Sequence, residues 1–368
     1  MEAIRCLAKC IKSYRCLKCL KVSSVETLGP SVGSRRFHIS NKLLLSISPQ
    51  EKQIPNNTHA GKLMLCISLG FLDIFKSKEL DPESELIMTL KRSILLIQQE
   101  EFPAAEQMLH VALRQAQEQG NSDGITYAYD LMANLAMTRG QFEKAEKLFV
   151  LIMNRLISNQ VPENDLRNLH ISLKLAKILE EKGDRNKADL GYKFCVDHLE
   201  KKVAAIHDLK LKKTHFSDQE KIDNENTIAL YGMSLDWFAK FLLQERKYEE
   251  SVKCYKKAYK LCVEVNGDIH EQNVILLNDI GTVNYLRGNY DKALKYLTRA
   301  IEMGKHLPQM EDLSSVYINL GKVYLEQGLK AEAEKHCRDG WKNANRLNNE
   351  EGIKDAEMCL ARVQKAMA

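Results

Sequence analysis

From Ala133 to Phe149 the chain reads ANLAMTRGQFEKAEKLF. Ala133 and Ala136 fall on one helical face, Gly140 suits a left-handed helix end, and Phe142 to Phe149 opens a second amphipathic helix. The pattern predicts a helical hairpin in which the small Ala145 lets two backbones approach while Phe142 and Phe149 fill the space around it. A hairpin of this size cannot bury its apolar face alone, so it predicts neighbours of the same kind.

Those neighbours recur along the chain. Equivalents of Ala145 are Ala105, Ala188, Ser251, Ala293 and Ala333, at successive intervals of 40, 43, 63, 42 and 40 residues. A near-constant period, with aromatic or apolar residues flanking a small marker, is the signature of stacked helix pairs. LRGNYDKALKYLTRA (286–300) and LGKVYLEQGLKAEAE (320–334) follow a tetratricopeptide pattern, with Leu320, Gly321, Tyr324, Gly328 and Ala333 at its offsets. The expected fold is an all-α tetratricopeptide-repeat solenoid of six hairpins. Because the period exceeds the roughly 34 residues usual for this motif, each helix should be about a turn longer.

Some copies depart from the pattern. Asn284 stands where an apolar or aromatic residue is expected, Arg185 replaces an aromatic, and Cys337 replaces a larger core residue. The long interval coincides with the charged stretch 199–226, read as a helix continuing to about Lys213 and then a loop. NNEEGIKDAEMCLARVQKAM (348–367) reads as one more amphipathic helix capping the stack. The resulting organisation is a leader over 1–60, a short apolar segment over 61–77, and a repeat domain over 84–368.

Charge refines this organisation. Residues 1–62 hold 11 Lys/Arg against 3 Asp/Glu, and the remainder holds 43 against 46. The repeats therefore lack the positive surface that phosphate binding requires, which excludes a nucleic-acid reading. The leader intersperses Arg5, Lys9, Lys12, Arg15 and Lys18 with apolar residues and resembles a mitochondrial import signal. Within it, Arg35, Phe37 and Ser40 match an arginine-x-phenylalanine-x-x-serine processing pattern. The apolar segment Leu63 to Phe75 spans about 20 Å as a helix against a hydrocarbon core of roughly 30 Å. A membrane span and a packing or interfacial helix both remain open for it.

Candidate chemistry is sparse. Cys6, Cys10, Cys16 and Cys19 lie in the leader without a compact fold around them, so no metal site is expected there. Cys195, Cys254, Cys262, Cys337 and Cys359 sit at core-facing helical positions and are expected to act as small apolar residues, with no disulfide framework. No catalytic, phosphate-loop or dinucleotide motif occurs, and no cofactor is implied. The chain reads as a binding scaffold. One column on the first helix of each pair, Asn134, Lys177, Lys240, Thr282 and Lys322, is expected to point outward. It would offer donors to an extended partner peptide, with Asp130, Asp236, Asn278 and Asn319 nearby.

GITYAYDLMANLAMTRGQFEKAEKLF (124–149), the preceding LKRSILLIQQEEFPAAEQMLHVALRQAQ and the later ISLKLAKILEEKGDRNKADLGYKFCVDHLEKK together resemble the mitochondrial tetratricopeptide repeat protein 19 family. The resemblance covers about residues 85–365. It implies an inner-membrane-associated, matrix-facing factor that binds respiratory complex III, the cytochrome bc1 complex. It further implies support for removal of N-terminal fragments of the Rieske iron-sulfur subunit. NGDIHEQNVILLNDIGTVNYLRGNYDKALKYLTRAIEM (266–303) also resembles the repeats of kinesin light chains, which implies a cytosolic cargo adaptor instead.

Overall fold

The computed structural model describes residues 82–213 and 215–368, and these form thirteen helices. Two compact units divide them, one holding residues 82–135 and the other 136–368. The leader, with Arg35, Phe37 and Ser40, and the apolar segment Leu63 to Phe75 lie outside the described residues. No described helix is long and apolar enough to cross a membrane.

The first unit contains α1 (Pro82–Gln98), α2 (Phe102–Glu118) and most of α3 (Ser122–Thr138). Ala105 and Leu109 are fully buried, and Gln115 donates to Glu85 between α1 and α2. The second unit continues through α4 (Phe142–Ser158), α5 (Leu166–Glu181), α6 (Arg185–Lys212), α7 (Asp218–Gln244) and α8 (Tyr248–Asn266). It ends with α9 (Glu271–Leu286), α10 (Tyr290–Gly304), α11 (Leu313–Glu326), α12 (Lys330–Arg346) and α13 (Glu350–Met367). Along the sequence, six helix–turn–helix segments and a terminal helix thus account for the whole described chain.

Three registers explain the pairing. All six marker residues, Ala105, Ala145, Ala188, Ser251, Ala293 and Ala333, have no exposed surface. Twelve residues before each marker stands a second small residue, Ser93, Ala133, Ala176, Ala239, Gly281 or Gly321. The fit is close: Ser251 donates to the Ala239 carbonyl at 2.8 Å, and a Cβ on Gly321 would stand 2.7 Å from Cys337 Sγ. Five residues before each marker, the turn residue has positive φ: Glu100, Gly140, Gly183, Arg246, Gly288 and Gly328. The amide after each of them reaches back to a carbonyl near the preceding helix end, as in Lys247 to Leu242 at 2.8 Å, which completes a left-handed helix cap.

The departures from the repeat are accommodated individually. Asn284 is buried and donates to its own helix at the Ile280 carbonyl, 2.7 Å away. Arg185 pairs with Glu245 at the surface, so no aromatic is needed there. In the charged stretch the loop is far shorter than expected: helix α6 ends at Lys212 and α7 begins at Asp218. Ser217 and Glu220 form a reciprocal capping box that starts α7. The extra length of α6 lies along α8, where Val203 and Ile206 are buried and Lys210 meets Glu264 at 2.7 Å.

The cysteine expectation needs one correction. Cys195, Cys254 and Cys262 are free, but Cys337 and Cys359 form a disulfide with Cα atoms 5.8 Å apart. Packing of α13 on α12 aligns the fully buried face of each helix, and that alignment, invisible in sequence spacing, brings the two sulfurs together. Asn349 caps α13 by accepting from the Gly352 amide at 3.0 Å.

Candidate partner-binding surface

The predicted column occupies the first helices of successive pairs, but its members do not stand free in solvent. In the second unit, Lys177 on α5 contacts Glu180 and Glu181, each at 2.9 Å, and retains 10% side-chain exposure. Lys240 on α7 contacts Asp236 at 2.8 Å and retains 15%. Burial lowers the Lys240 pKa, and the fields of Asp236 and Asp279 outweigh that to hold it above the usual value. Thr282 on α9 is fully buried.

Neighbouring first helices are joined through this layer. Asn319 on α11 donates to Asn278 at 3.0 Å and to Thr282 at 3.3 Å on α9, while Lys322 reaches Asn319 at 3.4 Å. Burial pushes the Lys322 ammonium down to about 8. The field of Asp279 links α9 to Lys240 on α7, and that of Glu180 links α5 to the same ammonium. Lys177, Lys240, Thr282 and Lys322 therefore belong to one buried polar row. Asn134 belongs to the first unit, where its amide donates to the Asp130 carbonyl at 2.6 Å.

The outward-pointing expectation fails for an electrostatic reason. A lysine beside a buried carboxylate gains more by neutralising it than by extending into water, so the ammonium folds onto its own helix. Two tyrosines that the column pattern does not single out stand beside this row. Tyr192 and Tyr255 occupy the position four residues after the marker, where other pairs carry Leu109, Phe149, Leu297 or Cys337. Tyr192 donates to Glu180 at 2.5 Å, and Tyr255 lies in the fields of Asp279 and Asp236. A hydroxyl on an otherwise apolar register is the signal that was available. Burial also raises the Asp279 pKa well above the usual carboxylate range, with the Lys240 ammonium opposing it.

The row offers fixed ammonium groups with a small accessible fraction, backed by carboxylates that hold their positions. Such groups hydrogen-bond carbonyls or carboxylates of an extended segment with little ordering cost. Nucleophilic chemistry is disfavoured, because burial pushes the thiol of Cys195 up to about 12 and those of Cys254 and Cys262 up to about 11. Among the described residues no group of His, Cys, Asp and Glu forms a metal site.

A tetratricopeptide repeat model matches residues 231–306, which cover the second half of α7 and all of α8, α9 and α10. The mitochondrial tetratricopeptide repeat protein 19 homolog of Drosophila melanogaster is 36% identical over 317 residues, covering 85% of this chain and 82% of the relative. The chain belongs to the mitochondrial tetratricopeptide repeat protein 19 family. The Homo sapiens member is 34% identical over 285 residues, covering 77% of this chain and 73% of that protein. Among solved structures, the apo form of RapI aligns with a TM-score of 0.55 at 14% identity, covering 77% of this chain and 71% of that one. A STAND ATPase with a tetratricopeptide repeat sensor from Pyrococcus horikoshii aligns at 0.53 and 20% identity, covering 70% and 34%. These structural likenesses show the fold alone. Membership in a mitochondrial family sets aside the cytosolic adaptor implied by the kinesin-light-chain resemblance of residues 266–303.

Proposed function

We propose that this protein is a non-catalytic scaffold of the inner mitochondrial membrane that binds respiratory complex III and supports its maintenance by clearing N-terminal fragments of the Rieske subunit. The observation that carries this reading is family membership over most of the chain. The buried row on α5, α7, α9 and α11 supports it, because helix-pair stacks present their first helices to extended partners. Lys177 and Lys240 hold backbone carbonyls or acidic groups of the fragment, and Thr282 and Lys322 maintain the spacing between first helices; Asn134, in the first unit, offers a further donor of its own. The scaffold displaces fragments or recruits a peptidase, and hydrolysis occurs elsewhere. The repeats face the matrix, where the fragments arise.

The test is fluorescence anisotropy of a labelled Rieske N-terminal peptide with purified full-length protein, followed by mass spectrometry of the peptide. Saturable binding with an intact peptide is expected. Cleavage by the pure protein, or no binding, would overturn the reading.

A further inference from the structure

Away from the buried row, a cavity of about 520 Å³ opens between α10, α11 and α12. Its floor is apolar, with Ile301 and Leu313 buried and Tyr317 partly buried. Four cationic side chains line it, Lys305, Lys335, Lys342 and Arg346, against the single carboxylate of Asp339. This local excess contrasts with the described chain as a whole, which holds 41 Lys/Arg and 43 Asp/Glu.

The wall is pre-formed. The His336 ring stacks on Tyr324 at 5.3 Å and lies 6.4 Å from Tyr317, with interplanar angles of 8° and 18°. Arg346 donates to the Pro308 carbonyl at 2.7 Å, tying the end of α12 to the loop before α11. Asp339 is already engaged by Lys342 at 3.3 Å, whereas Lys305 has no ionic partner among the described residues. The volume falls within the range of roughly 300–1,000 Å³ usual for sites that enclose one small ligand or anchor.

We propose that this cavity binds an acidic peptide segment of a partner protein, seating one aliphatic or aromatic side chain on Ile301, Leu313 and Tyr317 with flanking carboxylates at Lys305 and Lys342. Charge selects the occupant. The chain's own leader, with 11 Lys/Arg against 3 Asp/Glu, is repelled by this rim. A membrane surface needs a broad basic face, whereas the described residues are nearly balanced overall. Although α11 also carries Lys322, none of the row's residues lines the cavity, so the site stands or falls independently of the Rieske-fragment proposal.

The experiment measures anisotropy of fluorescein-labelled peptide EDELFEDE with the full-length protein at low salt, beside its amide counterpart QNQLFQNQ and vesicles containing phosphatidylglycerol. The acidic peptide should bind, the amide peptide and vesicles should not, and K305A/K342A should weaken binding about tenfold with an unchanged melting temperature. A second variant, Lys305→Glu, changes an exposed side chain and should weaken binding at least as far. Equal binding of both peptides, no binding of the acidic peptide, an unchanged affinity in both variants, or preferential vesicle binding would each overturn the proposal.

Discussion

Tyr192 donates its hydroxyl to Glu180 at 2.5 Å, crossing from the second to the first helix of the third pair inside a buried layer. Glu180 in turn receives Lys177, so one carboxylate organises both the core and the row. Tyr192→Phe keeps the ring contacts with Phe238 and Phe241 but leaves a buried carboxylate short of a donor. The expected loss is about 1–3 kcal/mol by urea unfolding. A loss within experimental error would show that the hydroxyl contributes no net stability.

The same coupling governs how the row is to be probed. Removing Lys240 alone strands Asp236, so Lys240→Ala should lower stability by about 3 kcal/mol. The pair K240M/D236N removes both charges together and should recover most of that loss. If the single and double variants unfold alike, the ion pair is not the reason Lys240 is held.

Lys322 gives the row a pH dependence. Burial holds its folded pKa down at about 8, while the unfolded chain keeps the proton to about 10.4. Between these values the unfolded state binds more protons, so stability rises with pH, by about 2–3 kcal/mol between pH 7.5 and 10. Below pH 8 the cost of burying the charge is fully present. Urea unfolding across that window should show the rise in the wild type and its loss in Lys322→Met. Parallel profiles would contradict the assignment.

Much of the fold was legible because helix pairing is written locally. The small markers, the turn glycines and the apolar positions after them all recur within short windows. The capping box Ser217–Glu220 is equally local, yet the residues around it are charged and lack an apolar stripe, so the pattern there predicts a loop. The site was less legible. Whether Lys177 or Lys240 points outward depends on carboxylates one turn away and on tyrosines from other helices, which a column read at one register does not weigh. The Cys337–Cys359 bond depends on how α13 seats on α12, a tertiary fact.

The turn register yields a backbone prediction. Arg246 holds φ at 59° where four other pairs use glycine. Arg246→Gly should stabilise by about 0.5–1 kcal/mol, since left-handed backbone costs a non-glycine residue about 1–2 kcal/mol and glycine returns part of that as unfolded-state entropy. Gly183→Ala should cost about 1 kcal/mol, because φ is 83° although nothing lies within 4 Å of the added Cβ. Thermal unfolding of the two variants should move in opposite directions.

The disulfide closes a separation of 22 residues and fastens the terminal helix. Cys359→Ala should lower stability by about 2–4 kcal/mol under oxidising conditions. Reductant should lower the wild type toward the variant. If reductant leaves the wild-type unfolding curve in place, the bond does not form in solution.

Native gel electrophoresis of detergent-solubilised mitochondria carrying a C-terminally tagged copy tests the central claim most directly. The account predicts that the tag comigrates with complex III subunits and, on a denaturing gel, that its mature mass falls below 42.1 kDa after leader removal. A full-length tag in the cytosol, or a mitochondrial tag that never comigrates with complex III, would contradict it.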